Sequence, residues 1–550
     1  MTQRMVEPAD LFRLKFTTSA QLSPDGKRVA YNITHVDAEK EKEHSAIWLI
    51  TLETGETHQL TGGDAKDSSP AWSPDGRQIA FVSSRGEKPQ IYTIPVDGGE
   101  ARIVTSLKQG VGSAPVWSPD GTQIAFTALS LEAPRNPSKP YRVDRHVYRF
   151  DDMNYLDDVT QSLYLVSAHG GEARRLTDDR QMNSHPQWAP DGKEILFVAS
   201  MHPESHSAIF LSLRLVDVAS GALRTVGDDW GMIGAVGWTP DGKQIVFAGM
   251  PNGKPIGSKS DLWVIDRAGG TPECRTAGLA VGIEGDLLVD MPIVFASPKL
   301  LVARDGKHAY TVVQEGGTRQ IYGIALSGEE SCVPLVTGER GCLLLSAGDQ
   351  HLLYLVSDFN HPIDLYYANL DGSSERQLTH LNDEWLSGIK LPEYDHLLFP
   401  GSDGVQVEGW IAKPPESNAP YPTILFIHGG PHVGFGHVFH FDTQLLCGAG
   451  YAALLINHRA STGYGDEFST AIKGDWGTLD YKDLMAGVDL VIARPRRPGS
   501  PRCLWTFRRR QPLLLDRRPH RPLQGCRTRE SGYQLDQLLR GQRCWRLVRH

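Results

Sequence analysis

The sequence predicts a seven-bladed β-propeller followed by the first part of an α/β domain. A short motif recurs seven times over the first two thirds of the chain, strand and helix patterns alternate from about residue 400, and the composition changes abruptly after Arg494. A chain of 550 residues is too long for a single small fold. With 22% charged residues and a mean hydropathy of -0.31, it contains no apolar run long enough to span a bilayer.

The recurring motif is a Pro-Asp-Gly turn that precedes an apolar strand. Its Asp residues lie 44 to 71 residues apart, a spacing that fits one propeller blade with insertions. Weaker copies occur at Asp305 and Asp349. The five strong copies are Leu22–Tyr31, Trp72–Phe81, Trp117–Phe126, Trp188–Phe197 and Trp238–Phe247. The sequence therefore predicts seven units.

Each copy of the motif has the chemistry of a tight turn between strands. Pro suits the second turn position because its φ is fixed, and Gly suits the last position. Alternating apolar residues after the turn predict one strand, and a later apolar run such as Ile91–Ile94 predicts another. Four short strands per unit, repeated radially, predict a propeller. We expect the Trp that opens four of the copies to pack between blades rather than to bind a ligand.

A different pattern near residue 400 predicts alternating strands and helices. The apolar, β-branched run 422–427 leads into His428-Gly429-Gly430-Pro431, as a buried parallel strand leads into a turn that presents backbone amides. The elements predicted next are a helix at Phe441–Gly448, a strand at Ala452–Ile456 and a helix at Asp480–Arg494. This alternation predicts an α/β domain.

Three segments of the chain follow from these patterns. Residues 1–385 are assigned to the propeller, residues 386–494 to the N-terminal half of an α/β domain, and residues 495–550 to an aberrant tail. That tail holds 15 Arg, no Lys and three acidic residues, a net charge of +12 within a chain whose net charge is -9. It also lacks any sustained helical or strand period.

The motifs of residues 1–494 resemble those of the prolyl oligopeptidase family of serine peptidases. The resemblance rests on seven propeller units, His-Gly-Gly-Pro, an Asn-x-Arg-x-Ser-x-Gly-Tyr-Gly loop that begins at Asn457, and a Gly-Asp-Trp-Gly-x-x-Asp-Tyr-x-Asp segment that ends at Asp483. The nearest similarity is to the acylaminoacyl-peptidase and dipeptidyl-peptidase-like branch. The chain departs from the family at Ala460, where Gly is usual, and at His458, where Pro is usual.

The resemblance implies an α/β-hydrolase domain with a Ser-His-Asp triad and an oxyanion hole. Gly430 corresponds to the residue whose backbone N–H forms half of that hole, within a motif that also contains His428, Gly429 and Pro431. His428 is structural in this motif and is not a triad candidate. The resemblance also implies short peptides as substrates, and neither it nor the residue pattern calls for a cofactor or a metal.

The nucleophile expected after Arg494 is missing. No Ser in the chain has Gly at both the second position before it and the second position after it. When Trp505–Pro512 is back-translated and read from the second base of each codon, it admits Gly-x-Ser-Gly-Gly-Gly-Asn, a nucleophile elbow at the expected distance. We therefore expect that a single-base insertion or deletion near codon 494 shifted the frame and truncated the enzyme. No residue of the printed chain is assigned a catalytic role, and the chain is expected to be inactive as given.

Two alternatives remain open at this stage. The tail could be a genuine basic segment that contacts nucleic acid or an acidic membrane surface, but its Cys and Trp residues and its lack of Lys disfavour both partners. The propeller could be a non-enzymatic binding scaffold, similar to the periplasmic Tol-system propeller. The N-terminus shows no signal-peptide pattern, so a cytoplasmic protein is expected. The oligomeric state is left open.

Overall fold

A computed structural model describes residues 3–62, 64–130, 139–140, 148–150, 154–155, 160–178, 181–200, 211–291, 300–417 and 420–493. The predicted frame-shifted tail, residues 495–550, lies outside these residues. None of the described helices is long and apolar enough to cross a membrane.

The described residues form seven four-stranded antiparallel units, which confirms the predicted seven-bladed propeller. The first three blades are β1 (Ala20–Leu22), β2 (Arg28–Asp37), β3 (Lys42–Thr51), β4 (Thr57–Gln59); β5 (Asp67–Trp72), β6 (Gln78–Ser83), β7 (Gln90–Pro95), β8 (Arg102–Ile103); and β9 (Val116–Trp117), β10 (Gln123–Ser130), β13 (Thr160–Ser167), β14 (Arg174–Arg175), with the hairpin β11 (Arg149–Phe150) and β12 (Asn154–Tyr155) inserted in the third.

The remaining blades follow the same plan. They are β15 (Met182–Trp188), β16 (Glu194–Ser200), β17 (Leu211–Asp217), β18 (Leu223–Trp238); β18 again with β19 (Gln244–Pro251), β20 (Asp261–Asp266), β21 (Glu273–Cys274); β22 (Leu301–Val302), β23 (His308–Glu315), β24 (Thr318–Ala325), β25 (Cys332–Val336); and β26 (Gly341–Ala347), β27 (His351–Ser357), β28 (Asp364–Asn369), β29 (Arg376–Gln377). The 16-residue strand β18 pairs with β17 through its first part and with β19 through its second, so the fourth and fifth blades share it.

The Trp residues of the turn motif join neighbouring blades, as predicted. Each indole N–H donates to a backbone carbonyl in the first strand of the preceding blade, at 3.0 to 3.3 Å. The four pairs are Trp72 with Gln21, Trp117 with Ala71, Trp188 with Val116, and Trp238 with Gln187. The first blade has Leu22 at this position, so the contact between the last and first blades has no such hydrogen bond.

We expect Trp117→Phe to lower the free energy of unfolding by about 1–2 kcal/mol, because it removes the indole donor of the Ala71 carbonyl and part of a half-buried ring. The measurement is the urea midpoint of the propeller transition. Trp476→Phe is the matched control, because Trp476 is 58% exposed and its replacement should not move the midpoint. Equal midpoints for Trp117→Phe and the parent chain would contradict the inter-blade role.

The ring closes by packing between the first and last blades. The N–H of Leu22 donates to Ser346 Oγ at 3.3 Å, and the Arg376 guanidinium donates to the Leu52 carbonyl at 3.3 Å. Among the described residues, no strand of the first blade pairs with a strand of the last. The closure therefore rests on side chains and loops.

The segment before the first blade contacts the second domain. Arg4 forms a parallel bridge with Ile389, and its N–H donates to the Gly388 carbonyl at 2.9 Å. A short 3-10 helix, Pro8–Phe12, follows. The predicted propeller span of 1–385 thus includes an N-terminal segment that lies against the start of the second domain.

The second domain contains four strands and four helices in the described residues. They are α1 (Asp383–Ser387), β30 (Glu393–Pro400), β31 (Gln406–Lys413), β32 (Thr423–Phe426), α2 (Phe441–Gly448), β33 (Ala452–Asn457), α3 (Asp466–Ser469) and α4 (Leu479–Ala493). The sheet order is β30-β31-β33-β32, and only β32 and β33 are parallel. Leu484 and Val488 of α4 pack against the sheet in one apolar core. Within the described part of the chain, β32 pairs on one side only.

Candidate active site

The predicted oxyanion-hole motif lies on the loop that follows β32. His428 and Pro431 are buried, whereas Gly429 and Gly430 are exposed. Gly430 has a φ of 134°, a conformation that favours glycine, and a Cβ there would lie 3.1 Å from the His432 nitrogen. No described residue accepts a hydrogen bond from the Gly430 N–H. The loop therefore presents one free backbone donor at the surface.

The buried His428 side chain connects this loop to the loop that follows β33. Its Nε2 lies 2.8 Å from Ser461 Oγ, and the Ser461 hydroxyl donates its proton to the His458 carbonyl at 2.7 Å. Because that proton is used, Ser461 must accept from a protonated Nε2 of His428. Burial, together with the His458 ring stacked at 4.4 Å, lowers the pKa of His428 well below its usual range.

This Ser–His contact does not constitute a nucleophile and its base. Ser461 is 0% exposed and His428 is 4% exposed, so neither side chain is open to a substrate. The imidazole also donates its hydrogen bond to Ser461, and the Ser461 hydroxyl donates to a backbone carbonyl. Activation of the hydroxyl would need the opposite arrangement, in which the imidazole accepts from Ser461. The geometry agrees with a structural role for His428.

Asn457 and Tyr464 tie the motif loop to the loop after β33. The Asn457 side chain accepts from the Phe435 N–H at 2.7 Å and donates to the Phe435 carbonyl at 2.8 Å and to Tyr464 Oη at 2.6 Å. The Tyr464 hydroxyl donates in turn to Glu408 on β31. The sequence motif contains Asn457 and Tyr464, but nothing in it identifies Phe435 or Glu408 as their partners. These bonds hold the segment that follows Gly430.

A buried ion pair fixes the other side of the same loop. The Arg459 guanidinium donates to both carboxylate oxygens of Asp483 at 2.9 and 2.7 Å, and the Arg459 N–H donates to Asp483 at 2.9 Å. Arg459 also pairs with Asp403. The hydrogen bonds to Asp483 and Asp403 outweigh burial and raise the pKa of Arg459 above its usual range. This pair connects the loop to α4.

The backbone conformation at Ala460 explains why family members usually have Gly at this position. Its φ is 95°, a strained value for a residue with a Cβ, and the side chain is 0% exposed. Its N–H donates to the Phe468 carbonyl at 2.9 Å, and its own carbonyl lies 3.2 Å from His432 Nδ1. The departure noted in the sequence is therefore accommodated with backbone strain next to the candidate site.

We expect Ala460→Gly to leave the free energy of unfolding unchanged or to raise it by up to about 1 kcal/mol. Relief of about 1–3 kcal/mol of backbone strain offsets the added freedom of the unfolded chain and the lost methyl group. Ala453→Gly makes the same chemical change at a buried strand position and should lower the free energy by about 1–2 kcal/mol. Urea unfolding of both variants tests this, and a loss at position 460 as large as that at 453 would contradict the strain.

The propeller contacts both loops of the candidate site. Gly434, just after the motif, bridges to Leu287, which lies between the fifth and sixth blades. The turn of the sixth blade reaches the second loop, where the Gly316 N–H donates to the Gly463 carbonyl at 2.9 Å and Gln314 bonds Thr462. The exposed amide of Gly430 thus lies on a loop that is held by both domains.

A second close contact links the propeller to His432. A Cβ on Gly257 would lie 2.1 Å from the nearest atom of the His432 ring, so only glycine fits at position 257. Burial lowers the pKa of His432, so the ring is neutral at physiological pH. No local sequence pattern indicates this contact, because Gly257 belongs to a loop 175 residues earlier in the chain.

Family models match both parts of the chain. The TolB beta propeller domain matches residues 13–135, and the Prolyl oligopeptidase family matches residues 437–498. The second match includes α2, β33 and α4 of the described second domain.

Curated relatives match along most of the chain. The uncharacterized peptidase YuxL of Bacillus subtilis is 34% identical over 513 residues, which cover 90% of this chain and 78% of the relative. Dipeptidyl-peptidase 5 of Porphyromonas gingivalis is 24% identical, with coverage of 91% of this chain and 74% of that protein.

A solved structure shares the fold. The acylaminoacyl peptidase of Pyrococcus horikoshii superposes with a TM-score of 0.73 at 22% identity and covers 89% of this chain and 72% of that one. At this identity the match supports the architecture of a propeller with a hydrolase domain. The identity to the Bacillus relative extends through both domains, and the chain belongs to the prolyl oligopeptidase family.

Proposed function

We propose that this chain derives from a serine-type peptidase of the acylaminoacyl- or dipeptidyl-peptidase kind, and that the 550-residue form is inactive because it lacks the catalytic Ser, Asp and His. The observation that carries the proposal is the exposed N–H of Gly430, which has no acceptor among the described residues. A free amide on a loop fixed by two domains is suited to stabilise the oxyanion of a tetrahedral intermediate.

The residues of the second domain would place a hydrogen-bond donor and hold its loop, rather than react with the substrate. Gly430 would donate to the oxyanion, while His428, Asn457 and Arg459 would keep its loop in place through their hydrogen bonds. One such donor is worth about 3–4 kcal/mol to a transition state when a nucleophile is present. Without a nucleophile, the amide has no covalent intermediate to stabilise.

The propeller supports short peptides as substrates. It contacts both loops of the candidate site, through the Gly316 turn and the Leu287 segment, and would thereby restrict the approach of a large folded substrate to Gly430. The same substrate class is consistent with the dipeptidyl-peptidase and acylaminoacyl-peptidase names of the relatives.

A fluorophosphonate probe tests the inactivity directly, because it labels only an activated serine. We expect no labelling of the purified 550-residue chain. A restored-frame version of the same gene, produced in parallel, serves as the positive control. Stoichiometric labelling of the 550-residue chain would overturn the proposed loss of the nucleophile.

A further inference from the structure

A small cavity lies where the N-terminal segment, the propeller and the second domain meet. Its volume is about 50 Å³, which is room for a few water molecules or for one small organic head group. The apolar part of its wall consists of buried side chains from all three regions. They include Phe16, Leu287, Met291, Ile363, Val438 and Phe439.

One cation, Arg319, extends into this apolar wall. Its side chain is 11% exposed, and its Nη1 lies 3.5 Å from a carboxylate oxygen of Asp286, which is itself 60% exposed. Nε and Nη2 are buried and have no hydrogen-bond partner among the described residues. These two nitrogens form one edge of the guanidinium, and their N–H bonds run nearly parallel. Arg319 therefore presents an empty two-donor edge.

Asp286 is the one carboxylate within ion-pair distance of Arg319 among the described residues, and it lies on the Nη1 side, away from the Nε–Nη2 edge. Burial raises the pKa of the neighbouring Cys342 thiol to about 12, so this side chain carries no charge at neutral pH. Burial also raises the pKa of Glu284 to about 7, and one oxygen of Glu284 already accepts the Ala235 N–H at 2.9 Å. Burial of Arg319 lowers the pKa of its guanidinium. The Nε–Nη2 edge of this cation thus faces no compensating group, which is costly unless an anion is bound there.

We propose that this cavity is a binding site for the carboxylate group of a small organic acid, with the two carboxylate oxygens accepting from Nε and Nη2 of Arg319. The planar edge of a guanidinium matches a carboxylate in a bidentate pair. With one guanidinium and the Asp286 carboxylate both in its lining, the cavity fits a small monoanion better than a dianion such as phosphate, whose second charge would stay unpaired. The proposal does not depend on peptidase activity.

The acid could be a free short-chain acid or the α-carboxylate of an acylated amino acid. Both sources share the carboxylate that Arg319 recognises. They differ in the group attached to the carboxylate, which must extend out of a cavity of about 50 Å³, so competition between representatives of each kind distinguishes them.

Equilibrium dialysis of the full 550-residue chain against radiolabelled butyrate tests the site. Butyrate should bind, uncharged butyramide should not, and Arg319→Gln should weaken butyrate at least about tenfold, because it removes two charged hydrogen bonds. Arg319→Lys keeps the charge but loses the planar pair of N–H donors, so its affinity for butyrate should be intermediate. Arg340→Gln is the matched control, since Arg340 pairs with Glu375 and does not line the cavity. Unlabelled N-acetylglycine and butyrate, compared as competitors, identify the preferred source.

Several results would overturn the assignment. They are no uptake of butyrate and no competition by either acid, equal uptake of butyramide, undiminished binding by Arg319→Gln, or full displacement by chloride at equal concentration. Thermal unfolding without ligand gives a second test. Arg319→Gln should unfold at the same or a higher temperature than the parent chain, whereas a marked decrease would mean that the guanidinium is already paired within the protein.

Discussion

A version of this gene whose frame is restored after codon 494 is expected to hydrolyse acylaminoacyl or dipeptidyl p-nitroanilides about 10⁶-fold faster than the 550-residue chain, because loss of a catalytic triad costs rates of that order. The candidate oxyanion donor is present in both chains, at Gly430. What differs is the segment after Arg494, which in the shifted frame admits Gly-x-Ser-Gly-Gly-Gly-Asn. The measurement is kcat/KM for each substrate with the two purified chains.

The restored chain with its elbow serine changed to alanine is the control for contaminating peptidases. It should return to the background rate of the 550-residue chain. Comparable rates for the 550-residue and restored chains would show that the shifted segment is not where the nucleophile resides. The ratio of acylaminoacyl to dipeptidyl hydrolysis in the restored chain also assigns the substrate class.

The second large effect is expected for Asp483→Ala, which should lower the free energy of unfolding of the second domain by about 3–5 kcal/mol. Asp483 is 0% exposed and accepts three hydrogen bonds from Arg459, which is itself buried. Its removal leaves the guanidinium with only the more exposed Asp403 as a partner. The measurement is the urea transition of the second domain followed by circular dichroism.

Two controls separate the charge effect from a general effect on α4. Asp489→Ala changes an exposed carboxylate on the same helix and should alter stability by less than about 0.5 kcal/mol. The double variant Arg459→Met with Asp483→Leu removes both charges and should recover much of the loss, because no unpaired ion stays buried. An effect of Asp483→Ala no larger than that of Asp489→Ala would contradict the buried pair.

Local patterns were sufficient to predict much of the fold. The Pro-Asp-Gly turns determine where strands begin, and the Trp before each of four turns lies at the blade junction as predicted. The helix predicted at Phe441–Gly448 has these bounds in the structure, and the strand predicted at Ala452–Ile456 is one residue longer. Such elements follow from residues that are close in sequence.

The shared strand β18 and the N-terminal contact could not be predicted from local patterns. Leu223–Trp238 pairs with β17 and with β19 over different parts of its length, with register shifts against both, which is a feature of the assembled sheet. Arg4 bonds to Gly388, which lies 384 residues later in the chain. Neither partner is indicated by hydrophobic periodicity, since that pattern reports only which face of an element is buried.

In the candidate site, too, some features could be predicted from the sequence and others could not. The His428–Pro431 motif and the free amide of Gly430 follow from the sequence and its resemblance. The supports of that loop do not, because Asn457 bonds Phe435 and Gly434 bridges to Leu287 of the propeller through tertiary contacts. The empty edge of Arg319 is visible only once the three regions around it are packed.

The first measurement to make is the genomic DNA sequence across codons 485–515. We expect one base to be gained or lost relative to the printed reading, so that the second-base frame of Trp505–Gln511 encodes a Gly-x-Ser-x-Gly elbow. An unchanged reading would instead mean that the locus itself encodes the altered tail, in a chain with the Gly430 amide but no nucleophile. A corrected frame without a Gly-x-Ser-x-Gly elbow would contradict the proposed peptidase origin of the segment.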